Sequence, residues 1–293
     1  MRESNEKVAI QATQNLHLEI NFQDDVRFQG QYNYDDVELE GNNMAYPGDS
    51  GAAFLTAILV HAVAADSKKN SALSQAQMKA NYVLKPYEKY LREFENDELV
   101  SSVIAKLNDN FSFQLIKYDR SKTKPTDLRL KSEPVFFMSQ DQRELILQHS
   151  MSVYRIGEPD KILHKNAIEV SSNRIEQKDI FAFWVNDNNL PKISAELYAI
   201  SVDLFINDMF SDLKNAEKSK QKTFRYVQGG KKKYERGILV KDECNRTTIR
   251  TLRGWLKSFP SNTVVPAGNA NNCKDGSYVD RQMLVDLSKI DRI

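Results

Sequence analysis

Ser50 stands in Gly48-Asp49-Ser50-Gly51, the tetrapeptide that surrounds the nucleophile in one large class of serine proteases. Acyl transfer by such a serine needs a histidine base and a carboxylate to orient it, and in that class both precede the motif. Here only His17 precedes Ser50, and Ala52-Ala53 leads on into helix-forming residues. A turn at Pro47-Gly48 followed by a helix cap at Asp49 or Ser50 accounts for the same letters. The other histidines, His61, His149 and His164, are scattered, and there is no His-Glu-x-x-His and no phosphate loop. Gly229-Gly230 ahead of three lysines lacks the spacing of such a loop. His149 with Asp141 is the one base-and-orienter pair to be argued, and a histidine packed in or on a sheet explains it more simply. The sequence therefore assigns no catalytic residue, no metal ligand set and no cofactor.

Cys244 and Cys273 are the only cysteines. They form no Cys-x-x-Cys pair and have no nearby histidine, which argues against a metal site. As a disulfide they would close a loop of about 30 residues, worth roughly 3.5 kcal/mol in the chain-entropy model. Two unpaired thiols remain the alternative, and the compartment decides between them.

The net charge of +1 hides a segregation. Residues 1–49 carry three Lys/Arg against ten Asp/Glu, whereas residues 218–257 carry 13 Lys/Arg against three Asp/Glu. Two opposed ends of this kind either face each other, within one chain or between copies, or address different partners. The basic segment holds Lys231, Lys232 and Lys233, then Arg246, Arg250 and Arg253, with Tyr234 and Trp255 nearby. These six cations are the candidate anion- or partner-binding residues. The β-branched residues between the arginines favour a strand, in which Arg246 and Arg250 share a face and Arg253 opposes them. The expected partner is an acidic protein surface or a second copy, by self-association through the acidic 1–49 and basic 218–257 segments; nucleic acid comes after these, since no recognised nucleic-acid motif is present.

The elements that must position these residues read as α+β: an antiparallel β meander packed with a buried helical hairpin and a second amphipathic helix. The 14 uncharged residues after Gly51 are too short to span a bilayer and follow an acidic stretch, so they are neither a membrane span nor an ordinary export signal. They predict a buried helix, paired with a second whose face is Leu73, Ala76, Ala80, Val83, Tyr87, Tyr90 and Phe94, kinked near Lys85 by Pro86. A short helix is expected near 97–107. Residues 111–118, 144–156, 167–172 and 180–185 read as strands, with Leu145, Leu147, His149, Met151 and Val153 on one face of the second. The polar, proline-containing stretch 121–134 reads as a surface loop or a joint between a 1–120 half and a 121–293 half, unless the whole is one domain. The amphipathic helix should start after Pro191 with Ser194 as cap, burying Ile193, Leu197, Ile200, Leu204, Met209 and Leu213. A hairpin turning at Gly229-Gly230 follows.

The segments YPGDSGAAFLTAILVHAV, FRYVQGG, ERG and CNRTTIRTLRGWLKSFP together resemble uncharacterised, lipoprotein-like envelope proteins of Gram-negative bacteria. That resemblance implies an extracytoplasmic location if a leader lies upstream, and a cytoplasmic one otherwise; it implies no activity. Three functions follow in order of preference: a non-enzymatic interaction or scaffold protein of the envelope, a cytoplasmic nucleic-acid-binding protein using the 218–257 face, and an enzyme whose site is assembled from distant residues.

Overall fold

The computed structural model describes residues 15–20, 28–31, 75–94, 96–107, 114–210, 221–243 and 245–264. The described strands are β1 (Asn15–Ile20), β2 (Phe28–Gly30), β3 (Gln114–Lys117), β4 (Leu128–Met138), β5 (Leu145–Arg155), β6 (Glu158–Ser171), β7 (Lys222–Gln228), β8 (Lys231–Glu243), β9 (Arg246–Thr251) and β10 (Leu256–Pro260). All belong to one sheet, ordered β3-β1-β4-β5-β6-β10-β9-β8-β7, with β2 also paired to β4. The helices are α1 (75–81), α2 (Glu88–Arg92), α3 (Asn96–Leu107), α4 (Ile180–Val185) and α5 (Asn189–Phe210).

The meander is antiparallel only in part. β4-β5-β6 and β10-β9-β8-β7 run antiparallel, but β10 joins β6 in parallel, and β1 and β2 both lie parallel to β4. The parallel join follows from α4 and α5, which intervene between the two antiparallel sets. The sheet also runs across residue 120, because β1 pairs with β4.

β5 follows the expected alternation: Leu145, Leu147, His149, Met151 and Val153 are all buried on one face. Against that face lies α5, which also packs on α3. Because it has neighbours on two sides it buries more than one stripe, including Leu197, Tyr198, Val202, Phe205 and Ile206. Ile193, Ile200 and Leu204 are only partly buried at its margin. α5 starts before Pro191, not after it; proline is tolerated in a first turn, where its missing N–H costs nothing. Ser194 is no cap but a buried residue of the helix, donating to Leu190 O at 2.8 Å.

Two other segments differ from expectation. IFAFWV is helix α4 and not a strand: Asp179 caps it, accepting from the Ala182 N–H at 2.8 Å, and Trp184 Nε1 donates to Gln142 O at 2.7 Å. A short unbroken apolar run carries no period that separates the two states. Half of 121–134 is the start of β4. Pro134 sits there without harm, since β1 pairs with β4 up to Ser132 and β2 only from Phe136. The missing donor falls in the gap between them.

The second predicted helix follows its expected face only in part: Tyr90 is exposed, and Leu73 lies outside the described residues. The chain passes through Pro86 as a 3₁₀ turn, Tyr82–Tyr87, and restarts as α2. Ala80, Val83, Tyr87 and Phe94 are buried. The first arm, 52–65, lies outside the described residues, as does Ser50. Among the described residues no helix is long and apolar enough to cross a membrane.

β7 and β8 curl back over the other face of the sheet. Phe224, Tyr226, Ile249 and Phe259 form a second core there, with the Tyr226 ring stacked on Phe259 at 4.2 Å. The turn at Gly229 and Gly230 has φ +59° and +73°, the left-handed pair that a two-residue hairpin of this hand requires.

Gly30 shows how tightly β2 meets α1. A Cβ there would lie 1.9 Å from the Ala80 carbonyl oxygen, a backbone atom with little room to retreat. Gly30→Ala should lower stability by about 2–3 kcal/mol, read as a lower urea midpoint with an unchanged slope.

Candidate functional site

Four polar constellations emerge, and burial sorts them. The first lies between β4, β5 and α5. Tyr198 Oη and Ser132 Oγ are 2.6 Å apart, Ser132 Oγ and His149 Nε2 are 2.7 Å apart, and His149 Nδ1 and Ser201 Oγ are 2.6 Å apart. The Ser201 hydroxyl donates to Tyr198 O at 2.7 Å. That fixes every proton. Ser201 must accept from His149 Nδ1–H, so Nε2 accepts from Ser132, which in turn accepts from Tyr198. Ser132 and His149 thus have the spacing of a nucleophile and its base. All four side chains are fully buried, however, and burial pushes the His149 imidazole down to about 3. A histidine so weakly basic and so shielded closes a core network. Asp141 is not its orienter; it pairs with Arg174.

The second is His17 on β1 with Asp127, Nε2 to Oδ2 at 3.1 Å, both buried. Burial works to raise the Asp127 carboxyl, but the Lys124 N–H, His17 and the Asn15 N–H outweigh it and hold the carboxyl below its ordinary value. The dyad ties β1 to the turn before β4. The third centres on Asp208 of α5, which accepts from His164 Nε2 at 3.0 Å and Asn166 Nδ2 at 2.7 Å and pairs with Arg250. Burial would raise its carboxyl too; His164 and Arg250 overcome this and keep it low.

The fourth zips the β7–β8 hairpin to the sheet. Lys257 on β10 lies 3.5 Å from Glu169 of β6 and 3.1 Å from Glu235 of β8. Gln228 Nε2 donates to Glu169 at 3.0 Å and to Ser171 at 2.7 Å, and Gln148 Nε2 donates to Glu169 at 3.2 Å. Burial alone would depress the Lys257 ammonium, yet Glu169, Tyr226 and Glu235 carry it above the lysine range. An amine held so firmly protonated is neither nucleophile nor base. Beside it, Glu144 accepts from the Gly229 N–H at 2.6 Å, and burial pushes its carboxyl up to about 7.

The six cations singled out in the sequence separate. Arg246 and Arg250 share a face, as expected, but it is the helix side, where both are spent internally. Arg246 Nη2 donates to Ser171 O at 2.9 Å and Ser258 O at 3.0 Å, and burial pushes its guanidinium down to about 10. Arg250 holds Asp208 and the Gly254 carbonyl. Arg253 lies in the turn after β9, over the Trp255 ring. Lys231 and Lys232 are exposed and Lys233 half-buried at the hairpin's start. Cys244 and Cys273 lie outside the described residues.

Four outward side chains of the hairpin went unnoticed in the sequence or were noticed only in part. Val227 faces Lys232, Arg225 faces Tyr234 and Thr223 faces Arg236 across the ladder. Arg225, Lys232, Tyr234 and Arg236 are exposed, Tyr234 to 65%, with the Arg225 guanidinium 5.9 Å from the tyrosine ring. The alternation of Phe224, Tyr226 and Gln228 inward was the signal that would have found them. Among the described residues no group of His, Cys, Asp and Glu has the makings of a metal site. No protein-family model, curated protein or solved structure matches the chain, so its reading rests on this geometry.

Two titrations test the buried groups, with opposite signs. His149 stays neutral in the fold to about pH 3, whereas the unfolded chain takes up its proton near 6.5. Its contribution is intact above 6.5 and lost as pH falls from 6.5 towards 3. His149→Gln should flatten that acid limb while costing about 2 kcal/mol at pH 7. Glu144 ionises near 4.5 when unfolded and near 7 when folded, so stability falls as pH rises between those values. Glu144→Gln, which keeps an acceptor for Gly229, should match the parent at pH 4 and exceed it by about 2 kcal/mol at pH 8 in urea unfolding.

Proposed function

We propose that the protein is a non-enzymatic interaction protein whose β7–β8 hairpin binds an anionic partner through its outward face. One observation carries this reading: an exposed tyrosine set among arginines and a lysine on a strand pair whose inner face is locked to the body. Tyr226 on Phe259 and Gln228 on Glu169 and Ser171 hold the hairpin down, so the outward cations stand on a firm platform and recognition orders little new chain. The Ser132–His149 and His17–Asp127 arrangements, which would speak for an enzyme, are fully buried, and at the partly accessible His164 the Asp208 carboxylate is already held by Asn166 and Arg250.

An acidic protein surface suits the face better than nucleic acid does. Binding along a single strand needs successive aromatic rings under successive bases, and the face offers Tyr234 alone. Carboxylates need only the cations. Binding of fluorescent polyglutamate at low salt should fall at least tenfold in Arg225→Ala/Lys232→Ala/Arg236→Ala and should weaken steeply with added salt. Tyr234→Ala should cost polyglutamate less than threefold. A loss above tenfold for a single-stranded oligonucleotide in the same variant would instead favour nucleic acid. Equal binding of polyglutamate to the parent and the triple variant would refute the reading.

A further inference from the structure

Gln31 is the last described residue before a long acidic stretch, and it lies at the tip of the basic hairpin. A Cβ on Gly229 would sit 2.3 Å from Gln31 Oε1. The position is fixed from the other side as well: the Gln31 N–H donates to Met138 O at 2.7 Å, and Gln31 O accepts from Gln140 Nε2 at 2.6 Å. Four residues further on comes Asp35-Asp36-Val37-Glu38-Leu39-Glu40. Between Arg27 and Lys68 the chain has six carboxylates and no Lys or Arg.

Reach and spacing both match. An extended chain covers at most about 3.5 Å per residue, so Asp35 falls within about 14 Å of Gln31 and Glu40 within about 32 Å. Along β8, at about 3.4 Å per residue, Lys232 lies about 7 Å from Gly230 and Arg236 about 20 Å. In an extended course Asp36, Glu38 and Glu40 fall on one side about 7 Å apart, which is the spacing of Lys232, Tyr234 with its facing Arg225, and Arg236. Among the described residues Lys232, Lys233 and Arg236 form no ion pair, and the one carboxylate within β8's first half, Glu235, is turned inward to Lys257.

We propose that the outward face of the β7–β8 hairpin is the docking surface for this chain's own Asp35–Glu40 segment, which competes there with an anionic partner. The competition, though not the docking, rests on the partner-binding reading above.

Zero-length carbodiimide cross-linking of the full chain, followed by peptide mapping, tests the docking. Links from Asp35, Asp36, Glu38 or Glu40 to Lys232, the lysine on the outward face, are expected, and in a mixture of ¹⁵N-labelled and unlabelled protein each linked pair should carry a single isotope. Mixed-isotope pairs would overturn the proposal by making a second copy the occupant, and absence of these links would overturn it outright. Asp35→Asn/Asp36→Asn/Glu38→Gln/Glu40→Gln should bind polyglutamate about tenfold more tightly than the parent at low salt, with the gain shrinking as salt rises. Links with no gain in affinity would remove the competition. Links with no polyglutamate binding by either protein would remove the partner-binding reading and leave the docking standing.

Discussion

A lysine ammonium shared by two carboxylates sets how far the sheet coils. Lys257 of β10 stands between Glu169 of β6 and Glu235 of β8, and Gln228 of β7 and Gln148 of β5 complete the shell around Glu169. Five strands contribute one or more members. Charges removed from water persist only when paired and hydrogen-bonded, so an arrangement that separated β7 from β6 would leave Glu169 short of donors. Such a network adds little net stability compared with apolar packing of the same volume. What it does supply is geometry: β7 must fold back over β6 although three strands lie between them in the sheet order. The outward face of the hairpin is the other side of that constraint, because turning Phe224, Tyr226 and Gln228 inward leaves Arg225, Lys232, Tyr234 and Arg236 to solvent.

The helix side of the sheet is organised differently. There the buried polar groups are mainly neutral, and each proton has one place to go: Tyr198 to Ser132 to His149 to Ser201 to the Tyr198 carbonyl. Such a closed circuit fixes the register of α5 on β4 and β5, since sliding the helix by one turn would orphan several groups at once. Asp208 repeats the device at the far end of α5, with His164, Asn166 and Arg250 as donors. Serine, histidine and aspartate are therefore used here as position markers between apolar layers. Their spacing resembles catalytic machinery because both uses demand short, directional hydrogen bonds; what separates them is access to a substrate.

Local patterns in the sequence were good guides where the structure is local. The β5 face with His149, the kink at Pro86 and the Gly229-Gly230 hairpin each depend on residues within a dozen positions. The arginine spacing also placed Arg246 and Arg250 on one face, but not which side of the sheet that face meets. Their partners, Ser171 and Asp208, lie 75 and 42 residues away. The same distance concealed the Glu169–Lys257 pair and the Ser132–Tyr198 contact. IFAFWV failed for a different reason, since six apolar residues in a row have no period and the deciding signal was the Asp179 cap in front of them.

The hairpin face raises one further physical question, which is how neighbouring cations coexist on it. Like charges directly opposite one another in a ladder destabilise it. The register avoids this throughout: Lys231 faces Gln228, Lys232 faces Val227, Lys233 faces Tyr226, Arg225 faces Tyr234 and Arg236 faces Thr223. Repulsion is thus left to diagonal neighbours, Arg225 with Lys232 and Arg236, and to alternate residues along β8, at separations of about 7 Å. The hairpin carries a concentrated positive field without paying for it in the pairing of its strands, and a field of that kind draws in carboxylates from whatever chain presents them.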